Sequence, residues 1–151
     1  MKRKPHLLSA IFLSFMMLLI SSVGNGLCIQ PQEVGNWKNA NPNTNSITRA
    51  NIDFYCQDQV FNGVPCCPAG PPYGVQLFGK CTPTDCPWGT IRGNRNSADQ
   101  IYVVYNMGYA TRYVYVKMSA YRPGQLWIHI RTDFADPARA DYVSENWFVR
   151  A

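Results

Sequence analysis

The chain has 151 residues, of which 46% are hydrophobic, 13% aromatic and only 15% charged, with a formal net charge of +5. That is the length of one domain, and the many aromatics with little charge exclude intrinsic disorder. A coiled coil is excluded too, since it needs Ala, Glu, Lys and Leu in abundance, whereas Tyr, Val, Thr, Gly and Pro here point to β structure with frequent turns.

Residues 1–26 read as a secretory signal peptide. Lys2, Arg3 and Lys4 form a basic start, Leu7 to Val23 is an uncharged apolar run, and Gly24 and Gly26 are small enough for a signal peptidase. The run is about 17 residues, short of the ~20 of a membrane-spanning helix, and no basic stop-transfer cluster follows it. Leu27 before Cys28 does not suit a lipidation site, which wants a small residue there. Removal of the segment leaves 11 basic against 9 acidic residues, so the mature chain is nearly balanced. No basic run survives in it, and the electrostatic footprint of a nucleic-acid binder is missing.

Residues 27–151 then form one secreted domain. Strand alternation begins at 34–39 and resumes at Ser46 to Tyr55, with Asn41-Pro42-Asn43-Thr44-Asn45 as the turn between. Ile47 is out of phase with Ile52 and Phe54, which predicts a bulge near Arg49. Residues 56–73 carry three cysteines and four prolines and little alternation, so a long loop without regular strand is expected there. Strands return at Gly74 to Lys80 and Trp88 to Arg92, followed by a polar turn, Gly93 to Ala98, and a strand from Gln100 to Asn106. The clearest hairpin turns at Asn106-Met107-Gly108 and runs back along Tyr109 to Tyr121. Val114, Val116 and Met118 take one face of that strand, and Tyr113, Tyr115 and Lys117 the other. After Arg122-Pro123-Gly124, Leu126, Ile128 and Ile130 alternate with Trp127, His129 and Arg131. Asp136-Pro137 marks the last turn, before a strand from Tyr142 to Val149.

Eight strands joined mostly by short turns build an antiparallel meander, and eight can close into a barrel. The expected fold is therefore an all-β, eight-stranded meander barrel stabilised by disulfides, with a β-sandwich as the alternative.

The six cysteines of the mature chain are Cys28, Cys56, Cys66, Cys67, Cys81 and Cys86, an even number that suits disulfides in a secreted protein. Cys81 and Cys86 bracket a short loop around Pro83 and are expected to pair. Cys66 and Cys67 are adjacent, so each is expected to reach a different partner, namely Cys28 and Cys56. Zinc does not fit these spacings, and His129 is the one histidine after the signal segment.

Gly35 to Arg49 and Gly79 to Thr90, with Tyr109 to Arg112 and Ala140 to Phe148, resemble small secreted domains of bacterial and some eukaryotic sequences. That resemblance spans most of 34–151 and implies no particular activity. Residues 56–73 depart from it and look like an insertion with extra cysteines. Gly35-Asn36-Trp37 is also similar to the G-x-W motif opening the first strand of the calycins, the lipocalins and avidins. In those families the Trp closes one end of the barrel, which implies that place for Trp37.

No catalytic constellation is evident. His129 reads as an outer-face histidine, Asp133, Asp136 and Asp141 as turn residues without a calcium-loop pattern, and Asp85 as the side chain of an Asx-type turn. No metal or cofactor is implied. The candidate binding residues fall in two sets. Phe61, Tyr73 and Phe78 lie in or beside the loop 56–73, which is expected to shape the opening of one barrel end. Tyr113, Trp127 and Arg131, with Tyr102, Tyr115 and Arg112 near them, form an outer aromatic face with interspersed cations. These features fit a secreted, non-enzymatic binding module for a carbohydrate, small ligand or protein. The alternative is a structural component of an extracellular matrix, such as a shell or skeletal organic matrix. Either way the partner is an extracellular ligand, glycan or matrix protein, with no nucleic acid and no membrane after signal cleavage.

Overall fold

Period-two alternation becomes strand wherever the sequence carries it. The computed structural model describes residues 28–56, 60–61 and 63–151; the expected signal segment 1–26 lies outside the described residues. The strands are β1 (Gly35–Asn39), β2 (Ile47–Phe54), β3 (Val60–Phe61), β4 (Val64–Pro65), β5 (Tyr73–Gly79), β6 (Cys86–Arg95), β7 (Ile101–Asn106), β8 (Ala110–Met118), β9 (Leu126–Phe134) and β10 (Tyr142–Arg150). Among the described residues no helix is long and apolar enough to cross a membrane.

Eight of these strands form a closed antiparallel barrel in the order β1-β10-β9-β8-β7-β6-β5-β2. Each strand pairs with its sequence neighbour in the barrel, and β10 returns to β1, so this is the expected meander rather than a sandwich. Closure leaves no barrel strand with an unpaired edge. The bulge expected near Arg49 is present, as a register shift between Ile47 and Arg49 against β5.

Register sorts the inward side chains of β7 to β10 into layers. Met118, Leu126 and Phe148 make the lowest layer, and Ile101, Val116, Ile128 and Asn146 the next. Above them come Val103, Val114, Ile130 and Ser144, and then Tyr105, Arg112, Thr132 and Tyr142. The apolar members join Trp37, Ile52, Val75 and Leu77 in one buried cluster that fills the lower interior. An eight-stranded barrel is just wide enough for side chains to fill it in this way.

The lower end is shut. Trp37 is buried, and its indole Nε1–H donates to the Glu33 carbonyl at 2.8 Å. Arg150, its register partner across the β1–β10 seam, lays its guanidinium 4.0 Å from the Trp37 ring centroid. Arg150 also donates to the carbonyls of Val34 (2.6 Å) and Gln32 (2.7 Å). From the other side of the barrel Arg95 at the end of β6 donates to the buried Glu33 carboxylate at 2.9 Å. The segment 32–34 is thus drawn across the end of the barrel. Gly35 permits this, because its φ is 136° and a Cβ there would strike the Arg150 guanidinium.

Three expectations are corrected. The loop 56–73 does contain strand: Val60 and Phe61 pair with Val64 and Pro65 in a two-residue hairpin short enough to tolerate a proline at its edge. Gly93 is not a turn residue, since β6 runs on to Arg95. It sits where β6 and β7 approach so closely that a Cβ would collide with the Tyr102 carbonyl oxygen. Cysteine pairing also differs. Cys81–Cys86 is bonded as expected, but Cys28 bonds to Cys56, with Cα atoms 6.0 Å apart, leaving Cys66 and Cys67 as thiols. While the Cys56 sulfur is taken by Cys28, the Cys66 sulfur lies against the Cys56 carbonyl (3.0 Å) and Cys67 Sγ (2.9 Å). Its hydrogen bond with Cys67 holds the Cys66 thiol above the ordinary range.

Replacing Trp37 with Ala is expected to cost about 3–5 kcal/mol in denaturant unfolding, the usual range for a buried large aromatic. Arg150→Ala, which frees two carbonyls at a partly exposed site, should cost about 1–3 kcal/mol. A thiol titration of folded, unreduced protein should count the two sulfhydryls of Cys66 and Cys67; zero or more than two would contradict the pairing.

Candidate functional site

The upper end of the barrel is built differently. Here the loops 40–46, 80–85, 107–109 and 135–141 surround the strand ends. Asn and Asp side chains fix three of them. Asn41 Oδ1 accepts from the Asn43 amide (3.0 Å), Asn106 Oδ1 from Gly108 (2.9 Å), and Asp141 Oδ1 from Phe134 (2.8 Å). The Cys81–Cys86 bond staples the fourth. Asp85 in that loop does not make the expected Asx-type turn. It reaches β2, where the Thr48 hydroxyl and then the Arg49 guanidinium (3.3 Å) hold its carboxyl below the usual range.

Between these loops lies a pocket of about 430 Å³, a size suited to a small ligand. Its floor and walls are the top two inward layers, with Ile130, Thr132, Tyr142 and Ser144 on one side and Trp88, Met107 and Arg112 on the other. Trp88 meets Tyr105 edge-on at 5.5 Å, and the buried Tyr105 hydroxyl donates to the Val75 carbonyl at 2.6 Å. Burial pushes that hydroxyl well above the ordinary tyrosine range, so it stays protonated. Arg112 stacks on Trp88, its guanidinium carbon 4.1 Å from the ring centroid, and donates to the Tyr109 hydroxyl at 3.3 Å. Arg112 Nε and Thr132 Oγ1 are both buried without a hydrogen-bond partner.

Arg112 therefore belongs to the interior, not to the outer face. It has the phase of Val114 and Val116, so period two alone places it inward. That signal was available in the sequence, while Thr132 is visible only once β9 is seen to continue past Arg131.

The other sequence candidates separate. Tyr73 and Phe78 sit on β5 with opposite phase. Tyr73 is a core residue at the lower end whose hydroxyl accepts from Arg95 Nε at 2.9 Å, and Phe78 faces outward beneath Arg49, 4.1 Å away. Phe61 lies on β3 within the loop. Residues 68–71 of that loop pack at the shut end, where Arg92 donates to the carbonyls of Pro68, Ala69 and Pro71 at 2.7–3.2 Å. Tyr113, Trp127 and Arg131 do share the outer face of β8 and β9. Arg131 stacks on Tyr113 (4.3 Å) and Lys117 on Trp127 (5.1 Å), while Tyr102 packs on Tyr115 (5.1 Å). Beside them Trp127, Trp147 and Tyr121 border an outer groove of about 450 Å³, and Arg122 lies over Trp147 at 4.2 Å. His129 is on this face too, with Nδ1 3.2 Å from Glu145. Among the described residues no three His, Cys, Asp or Glu side chains stand together as a metal site would require.

Comparison with family models, curated proteins and solved structures finds no match for the chain.

A buried hydroxyl without a partner costs stability, so Thr132→Val, which keeps the shape, is expected to stabilise the fold by about 1–2 kcal/mol. Urea unfolding of the two proteins checks it; a clear loss of stability would mean that the Thr132 hydroxyl is already satisfied.

Proposed function

We propose that the protein is a secreted, non-enzymatic binding module that takes a small extracellular ligand at the upper mouth of its barrel. The observation that supports this most strongly is the contrast between the two ends. One is sealed by Trp37, Glu33, Arg95 and Arg150, and the other opens as a pocket whose wall contains unpaired polar atoms. Barrel mouths are common ligand sites, because rigid strands position what the loops surround. Secretion rests on the basic start and apolar run of residues 1–26.

A second reading has its own observation. The outer groove bordered by Trp127 and Trp147 carries Lys117 and Arg122 stacked on those indoles and Glu145 beside them, a mixed aromatic and charged surface that suits a glycan or a matrix protein. In that case the barrel is a building block and the mouth is incidental.

The neutral fluorophore N-phenyl-1-naphthylamine separates the two. Its emission is expected to rise on binding wild-type protein. The rise should vanish when Ser144→Trp fills the mouth and persist in Trp127→Ser. Loss of the signal in Trp127→Ser with retention in Ser144→Trp would favour the outer groove instead.

A further inference from the structure

Two cations line the mouth, the exposed Lys80, which has the Asp85 carboxylate of the stapled loop near it, and the half-buried Arg112, beside which the lining places no acidic side chain. Arg112 is held by the fold. Its guanidinium is pressed on Trp88, one Nη donates to Tyr109, and Nε is left without an acceptor. Directly across the β8–β9 ladder stands Thr132, fully buried, its hydroxyl equally without a partner. A guanidinium stacked on an indole is held in one orientation. The unpaired Nε–H of this group and the unpaired hydroxyl of its register partner are completed by an acceptor that reaches both, and the positive charge favours an anion with two acceptor oxygens in a plane. A carboxylate has that shape and matches one buried cation with one negative charge. A phosphate dianion would need a second buried cation, and Lys80 is exposed. Trp88, Met107, Ile47 and Ile130 supply the apolar part of the remaining wall, which Asn45, Ser46 and Ser144 complete with polar groups.

We infer that the mouth selects small monocarboxylic acids with an apolar body, the carboxylate seated at Arg112 and Thr132 and the body against Trp88, Met107 and Ile130. This rests on the reading of the mouth as the ligand site.

Calorimetric titration of the mature protein with 4-phenylbutyrate, with its neutral amide and with inorganic phosphate tests it. The acid is expected to bind at least about tenfold more tightly than the amide, the effect of one charge-assisted hydrogen bond. Arg112→Gln should abolish that preference, and Arg112→Lys, which keeps charge but not the fork, should restore only part of it. Phosphate should not displace the acid. Equal binding of acid and amide, undiminished acid binding by Arg112→Gln, or displacement by phosphate at similar concentration would overturn the inference. If Arg112→Gln does not fold, Thr132→Val carries the test, with a several-fold loss for the acid and none for the amide expected; equal effects on both would overturn it. Failure of both acid and amide to bind a protein that still takes up N-phenyl-1-naphthylamine through its mouth would remove the carboxylate inference alone. If that neutral probe is not taken up either, the mouth reading falls with it.

Discussion

The seam between β1 and β10 is the constraint on which the rest of the structure depends. Without it the meander is an open sheet with two bare edges. With it the chain encloses a fixed volume that side chains must fill. Trp37 and Arg150 are register partners in that seam, and they also seal the lower end, with Trp37 inside and Arg150 stacked on it. The same guanidinium draws down the carbonyls of Gln32 and Val34, so closing the cylinder and capping it are one arrangement. The Cys28–Cys56 bond then ties the incoming segment to the chain just beyond β2.

A closed cylinder with one capped end has a direction, and its inward residues follow it. Phe148, Leu126 and Ile128 are fully buried at the capped side. Going up, the layers admit Asn146, then Ser144, then Arg112 and Thr132 together. Polar groups facing inward are costly unless paired, and two atoms of the top layer are unpaired. A fold selected for stability alone gains from Val at position 132. The two inward-facing unpaired atoms thus sit at the open end, while a third, Gln125 Oε1, lies in the connection before β9 at the capped end, and the pair at the mouth links packing to the proposed binding role.

Much of the fold was legible because alternation is a local signal. Val114 and Val116 against Tyr113 and Tyr115, or Ile128 and Ile130 against Trp127 and His129, assign faces without knowledge of the partner strand. The turns at Asn41 to Asn45 and Asn106 to Gly108 were equally readable from their Asn and Gly content. What failed depended on distant neighbours. Gly93 looks like a turn residue until the Tyr102 carbonyl is seen beside it. Cys28 pairs with Cys56 because the capping segment passes the end of β2, which no spacing reveals. The loop 56–73 is prominent in the sequence for its cysteines and prolines, yet its residues 68–71 are held at the shut end by Arg92. Conversely Arg112 was hidden by its charge: an arginine invites an outer-face reading, although its phase with Val114 places it inside.

The barrel is shut at the Trp37 end, and the proposed ligand site lies at the Arg112 end. The most direct test is nitrogen-15 NMR of the labelled mature protein during addition of 4-phenylbutyrate, following the Arg112 Nε–H signal with the backbone amides. Saturable shifts of Arg112 Nε–H and of the amides of Trp88, Thr132 and Ser144 are expected, with Glu33, Arg95 and Arg150 staying in place. Saturable shifts centred on the loop 56–73 or on Trp127 and Trp147, with Arg112 Nε–H unmoved, would contradict it.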